Sequence, residues 1–420
     1  MEHRKRSEAL EPAGSGIGRR LRMWWQGLDP STRWAVQLYG VMRVLLSVWG
    51  VIATQGRAVP APAPLDAERV FTAAFPWAGS RLAEGLLGNW MHWDTVWYLE
   101  IAIFGYSPET GNIIFPPLYP LLIRGLGLLL GGHYLLAALI VSNVACVGFL
   151  ILLYRLIALD FSPELARRTI LYLLAFPTGF FLLAGYSEAV FLCLFVLALY
   201  AARQDRWGWA GAAAFLASLA RLQGWVLTFP LLYFWVKDRF LPAWRAQAFD
   251  RRSLGSVGSS LVMAGGGGFG TVAFMAYVYL VGWPSIEHVF AKQWHMQIGM
   301  PWDSLILAAR ALWSGDVLFQ DVGNILVALF CILLTALGLR RLPVFYSLFT
   351  APVLLFTLMR YFPAIQLNGW MRYALIFFPG FILVARWGQR SVWLHRVWLT
   401  VSLLFQVIFV AWFVNWIWVS

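Results

Sequence analysis

The residues best able to do chemistry in this chain crowd into one stretch, NWMHWDTVWYLEIAIFGYS, Asn89 to Ser107. It sets His92, Asp94 and Glu100 among tryptophans and tyrosines. Carboxylates and imidazoles are groups that move protons, and guanidiniums hold anions. Similar groups recur farther on: Tyr186, Ser187 and Glu188 in AGYSEAVF, Arg221 and Gln223 in LARLQGWV, and Gln293, Trp294 and His295 in KQWHMQ. A late segment adds Arg360, Asn368, Arg372 and Tyr373.

Each has an inert reading beside the chemical one. Glu84 and Glu109 read as solvated loop carboxylates. Glu188 either caps a helix start, where the dipole favours a carboxylate, or works in a site. His92 and His295 either pack with satisfied hydrogen bonds or catalyse. Asp94, flanked by Trp93, Trp97 and Tyr98, is the carboxylate least suited to a merely solvated role. Arg43, within the first apolar run, either pairs inside a helix bundle or binds phosphate. The run AGGGGFG at 264–270 lacks a following GK[ST], so it reads as close helix packing rather than a phosphate loop.

The elements that must position these groups follow from composition. The chain has 420 residues, 60% of them hydrophobic and 12% charged. That charged share is about half of a typical soluble domain's. Apolar runs such as Leu135 to Ile157 and Leu399 to Trp418 are long enough to cross about 30 Å of hydrocarbon as helices. The expected class is an all-α polytopic membrane protein. Its net charge of +12 sits in short clusters between apolar runs, which argues for membrane topology and against nucleic acid as a partner. Cys146, Cys193 and Cys331 lie inside apolar runs, so no disulfide framework and no metal site are expected.

Spans are predicted near 34–54, 134–158, 169–185, 188–202, 207–220, 222–236, 258–282, 318–339, 343–359, 371–386 and 397–418, eleven in all. The segment 113–132 holds three prolines and Arg124, and it is ambiguous by hydropathy. Charge decides it. If it only dips into the interface and the N-terminus is cytoplasmic, 22 of the 32 Lys and Arg lie inside and nine outside. Counting it as a span reverses that bias, against the positive-inside rule. Residues 1–33 then form a basic cytoplasmic extension that leads into a retained anchor rather than a signal peptide. Residues 34–420 form a single transmembrane domain with large outer loops at about 55–133 and 283–317. In the first loop, GRAVPAPAPLDAERV reads as irregular. After it, Asp94, Trp97, Tyr98, Ile101 and Ala102 share one helical face that Gly105 ends. This topology gathers the acidic, basic and aromatic candidates on one outer face. A charge near a membrane is costly unless paired or functional.

Several quoted segments resemble the second GPI mannosyltransferase, or PIG-V-like, family and its bacterial relatives: HWDTVWYLEIAIFGY, FPPLYPLLIRGLG, AFPTGFFLLAGYSEAVF, LASLARLQGW and MRYALIFFPGF. The resemblance runs in order over roughly 35–385. It implies a GT-C-type fold and an enzyme that takes mannose from a polyprenyl or dolichyl phosphate on the non-cytoplasmic face. The acceptor would be lipid-linked or glycan. Asp94 matches the catalytic base and Glu188 the second acidic position. The basic extension and the Pro/Ala-rich stretch depart from the pattern.

On that footing Asp94 accepts the acceptor hydroxyl's proton as that oxygen attacks the anomeric carbon. An ordinary carboxylate, pKa about 4, cannot deprotonate an alcohol beforehand. One base and no covalent step implies inversion. His92 and Glu188 would orient the hydroxyl or the sugar. Arg372, then Arg221, with Arg124 and Arg360, are the candidates for the donor phosphate. Trp93, Trp97, Tyr98, Tyr186, Gln293, Trp294 and His295 are the candidates for sugar and acceptor. No cofactor is expected beyond the lipid-phosphate sugar donor. Partners are membrane lipids. A bacterial plasma membrane, or the endoplasmic reticulum in a eukaryote, fits this topology; Trp- and Ala-rich loops and no retention signal favour the former. The competing reading is a transporter or flippase for a lipid-linked substrate. Transporters tend to place charge near the midplane between repeated halves. No internal repeat is visible here.

Overall fold

The computed structural model describes residues 15–55, 67–76, 80–247, 251–363 and 367–419. The first fourteen residues of the basic extension and residues 56–66 of the stretch expected to be irregular lie outside the described residues, and the last four residues of that stretch instead open the helix Ala67–Ala74. The architecture is helical throughout, apart from one pair of two-residue strands.

Four of the described helices are long and apolar enough to cross a membrane: Pro30–Thr54, Tyr134–Asp160, Phe319–Arg341 and Val392–Val414. A fifth span results if Gly255–Ala264 and Gly266–Leu280, bent by 56°, are taken as one. The remaining expected spans coincide with shorter helices: Pro163–Leu174, Glu188–Arg203, Trp207–Ala220, Thr228–Trp235, Val344–Leu358 and Phe378–Arg390. The longest of these has 16 residues, about 24 Å of rise, short of the hydrocarbon thickness. Helix breaks explain the shortening. The run expected at 169–185 gives way to irregular backbone around Pro177 and a 3₁₀ turn at Gly179–Leu182. The run from 222 opens with another 3₁₀ turn, Leu222–Leu227. Segment 113–132 contains the 12-residue helix Leu118–Leu129, as short as Pro163–Leu174.

Within the bundle, Glu188–Arg203 packs between Tyr134–Asp160 and Trp207–Ala220, which in turn packs against Gly266–Leu280. Glycine makes that last contact close. Cβ atoms at Gly266 and Gly270 would collide with the Gly211 and Phe215 carbonyls, so the Gly-rich run is helix packing, as its sequence suggests. Pro30–Thr54 packs against Val392–Val414. Arg43 takes the structural course, donating to the Leu183 carbonyl at 2.9 Å and lying over the Trp90 ring.

The entry to the first span is fixed by Asp29. Its carboxylate accepts from Ser31, from Thr32 and, at 2.8 Å, from Arg155 on the neighbouring helix. Partial burial pushes this carboxyl up, but those hydrogen bonds and the Arg155 charge outweigh it and hold the group well below the usual carboxylate range.

Candidate active site

Helix Asp94–Phe104 starts at the first candidate carboxylate and ends at Gly105, whose φ of 91° suits a residue without Cβ. Asp94, Tyr98, Ile101 and Ala102 of the expected face are buried, and Trp97 is half-buried. Trp93, immediately before, has φ 56° and ψ −121°, a sparsely populated conformation for a bulky residue. Strain of this kind persists only where surroundings enforce it, and it concentrates at working sites. The Trp93 ring is held edge-on to Trp416 and Trp418.

Four charged groups from distant parts of the chain form one buried network of alternating sign. Asp94 Oδ2 meets Arg372 Nη1 at 2.5 Å. Arg372 Nε lies 3.3 Å from Glu188 Oε1, and Arg221 Nη1 reaches the same oxygen at 2.6 Å. Asp94 is 6% exposed and Glu188 2%. Neutral hydroxyls tie the ends. Arg221 donates to Ser187 Oγ at 3.3 Å, which bonds the Tyr98 hydroxyl at 2.7 Å, and the Asp94 backbone N–H donates to the Tyr186 hydroxyl at 3.2 Å. Removing one member of such a network strands its partner's charge.

The network forms part of the wall of a cavity of about 500 Å³. Asp94, Tyr98, Arg221, Arg360, Arg372 and Trp294 all face it. Arg360 arrives by a route the sequence did not disclose: Arg360–Tyr361 pairs antiparallel with Gln297–Ile298, joining two segments remote in the chain. Its Nε donates to Met296 Sδ at 3.1 Å, and its guanidinium lies over the rings of Tyr373 and Phe290. Among the described residues no carboxylate pairs with Arg360. The buried network is neutral by itself, so Arg360 gives the interior one surplus positive charge. Glu287 also lines the cavity but is exposed, so water screens its charge.

Other candidates stand elsewhere. His92 packs its ring 4.2 Å from Trp416 and 5.6 Å from Phe413, off the cavity wall. Glu188 is behind the two guanidiniums rather than on the wall. Tyr186 is buried beneath Asp94. Trp97 stands against Trp294 and Phe115, supporting the wall from outside. Gln293 is an exposed tie to the Pro108 carbonyl, and His295 is exposed at a backbone turn with φ 50°. Arg124 belongs to a second cavity. Conversely, Trp418, Met296 and Phe290 line the first cavity without having been singled out. Trp418 was expected inside a span. The helix instead ends at Val414, and Trp416, with φ 59°, turns the chain back so that Trp418 Nε1 donates to Asn368. Asn415 after the apolar run was the available signal for that stop.

Residues 33–236 match the family model described as Mannosyltransferase (PIG-V). Asp94, Glu188 and Arg221 fall inside that match; Arg360 and Arg372 lie beyond it. The chain is 37% identical over 124 residues to human GPI alpha-1,6-mannosyltransferase 2, covering 27% of this chain and 25% of that protein. The mouse protein of that name is 34% identical over 160 residues, 36% of this chain and 32% of the relative. The Cricetulus griseus protein is 32% identical over 219 residues, 49% and 42% respectively. The matched stretches thus span less than half the length of these relatives. No solved structure matches the chain significantly.

Proposed function

We propose, for a chain that is PIG-V-like over residues 33–236, that the cavity transfers a mannosyl group from a lipid phosphate to an acceptor hydroxyl. The observation that carries the reading is a carboxylate and two guanidiniums, Asp94, Arg372 and Arg360, meeting on one cavity wall with one positive charge in surplus. A phosphodiester donor carries a single negative charge, which matches that surplus. The acceptor oxygen attacks the anomeric carbon and its proton passes to Asp94. The bond from that carbon to the phosphate oxygen breaks, and the lipid phosphate leaves with the electron pair. Having one nucleophile and no covalent enzyme intermediate, the step inverts the anomeric centre.

Arg360 and Arg372 suit the departing phosphate, since guanidiniums bind phosphate oxygens in pairs. In this structure Asp94 is engaged by Arg372. A donor phosphate competes for that guanidinium and loosens its hold on Asp94, so donor binding readies the base. Trp294, Tyr98 and Trp418 offer aromatic surface to a sugar ring. Glu188 fixes the two guanidiniums and touches no substrate. A GT-C-type arrangement of about eleven membrane passages, an extracytoplasmic cavity, a cytoplasmic N-terminus and residence in a plasma or endoplasmic reticulum membrane complete the reading. Its support is the charge distribution along the chain.

The test is loss of mannose from polyprenyl phosphate mannose on the purified protein in detergent with membrane lipid extract. Turnover by the unaltered chain and none by folded Asp94→Asn is the expected result. Equal turnover by both removes Asp94 as the base. Donor binding without turnover in either, across a range of lipid acceptors, favours a carrier.

A further inference from the structure

A second cavity, about 480 Å³, neighbours the first. The same three elements wall both. On helix Asp94–Phe104, Asp94 and Tyr98 face the first cavity, while Ile101 and Ala102, one turn on, face the second. Pro116 lines the first and Pro117 the second; Met275 lines the first and Tyr277 the second. The partition is made of side chains from these elements. It is firm: Tyr98 packs edge-on to Phe115 at 5.1 Å and to Tyr119 at 4.8 Å between ring centres.

Among the described residues, the second cavity has one charged group, Arg124. One of its nitrogens donates to the Ala102 carbonyl at 3.2 Å, at the C-terminal end of helix Asp94–Phe104. That contact suits the helix dipole, but it uses one of five N–H donors. Among the described residues no carboxylate pairs with Arg124. The other wall residues are apolar or present ring surface, and the helix that carries Arg124 turns Leu121, Leu128 and Leu129 outward, 59%, 62% and 84% exposed. A helix only 12 residues long with leucines facing out suits the bilayer boundary. An unpaired guanidinium above an apolar slot at that boundary is complementary to a phosphate that carries alkyl chains.

We propose that this second cavity is a binding site for an anionic glycerophospholipid, with an acyl chain in the slot beside Ala102, Pro117 and Leu121 and the headgroup phosphate on Arg124. The site is distinct from the sugar-transfer cavity and does not depend on that reading. Arg124 accordingly leaves the set of groups that meet a sugar donor.

The experiment uses the full chain in phosphatidylcholine nanodiscs doped with phosphatidylglycerol that carries a diazirine at one acyl terminus. After illumination, label is expected on peptides covering 101–106 and 117–124, displaced by unlabelled phosphatidylglycerol and not by phosphatidylcholine. Arg124→Gln should lower the labelling about tenfold. Leu121→Trp, which fills the slot and keeps the charge, should lower it similarly. Both residues are exposed or partly exposed, so thermal unfolding of the variants should match the parent and serves as the fold control. Labelling unchanged in Arg124→Gln, or displaced equally by phosphatidylcholine, overturns the proposal. Displacement by polyprenyl phosphate in preference to phosphatidylglycerol also overturns it and gives the slot to a donor tail. Sugar transfer is not read in any arm, so failure here leaves the transferase reading standing, and failure of that reading leaves this one standing.

Discussion

Replacing Glu188 by Gln tests whether the buried charge network is a unit and whether Glu188 acts behind the arginines. The substitution keeps length and one acceptor oxygen while removing the charge that Arg221 meets at 2.6 Å and Arg372 at 3.3 Å. Arg372 retains Asp94, but Arg221 is left with the Ser187 hydroxyl and the face of the Tyr373 ring. Stranding one charge of a buried pair costs about 3–5 kcal/mol, and the amide oxygen recovers part of it, so a net loss of about 2–4 kcal/mol is expected. Arg221→Gln strands Glu188 in the same way, although Arg372 still compensates it. The double variant strands neither, so its loss should fall short of the sum by about 1–3 kcal/mol. Reversible unfolding by SDS titration in mixed micelles measures all three. Additivity within about 0.5 kcal/mol refutes the network. Kinetics separate the roles: with Glu188 out of contact, the single variant should lose turnover while the acceptor KM stays unchanged. A raised acceptor KM with unchanged turnover means that Glu188 touches the acceptor after all.

Arg360→Gln should raise the donor KM by about 10- to 100-fold, the value of one charged hydrogen-bond partner to phosphate; an unchanged donor KM assigns the phosphate to other groups. Gly270→Ala puts a methyl group against the Phe215 carbonyl and should lower stability by about 1–3 kcal/mol in the same titration, whereas Gly18→Ala, with open space around it, should cost nothing. Asp29→Ala should cost about 1 kcal/mol as a lost helix cap. Because the folded-state pKa of Asp29 is depressed, its contribution is present at neutral pH and fades only as pH falls below about 4, through the ordinary carboxylate value toward the lower folded one. The stability difference between the Ala variant and the parent should therefore narrow in acid, and a difference that widens there contradicts the assignment.

The boundaries of helix Asp94–Phe104 were legible because apolar periodicity and a terminal glycine are local signals. Charge counting reads segment 113–132 as interfacial, and its helix Leu118–Leu129 has 12 residues, a length that local sequence does not announce. The shorter spans were less legible. Hydropathy averages over a window, so it does not register the 3₁₀ turns at Gly179–Leu182 and Leu222–Leu227 that cut apolar runs into pieces. Singling out Asp94, Arg221 and Arg372 was within reach because a charge in an apolar chain is conspicuous wherever it stands. Their partners were not within reach. His92 and Asp94 are two residues apart, yet one meets aromatic rings and the other the cavity, because the Trp93 backbone turns between them.

The sequence by itself determined a helical membrane protein, the residues that carry charge into it, and a likeness to the PIG-V family, read over roughly 35–385 and matched by the family model over 33–236. Those properties are sums over composition, periodicity and local order. Tertiary structure decided that Asp94 is paired with Arg372, that Glu188 stands behind two guanidiniums, that a two-residue strand pair delivers Arg360, and that Arg124 belongs to another cavity. Each of those is a distance between groups remote in the chain. Such distances are set by how helices pack and where they break, and no local pattern of residues encodes them.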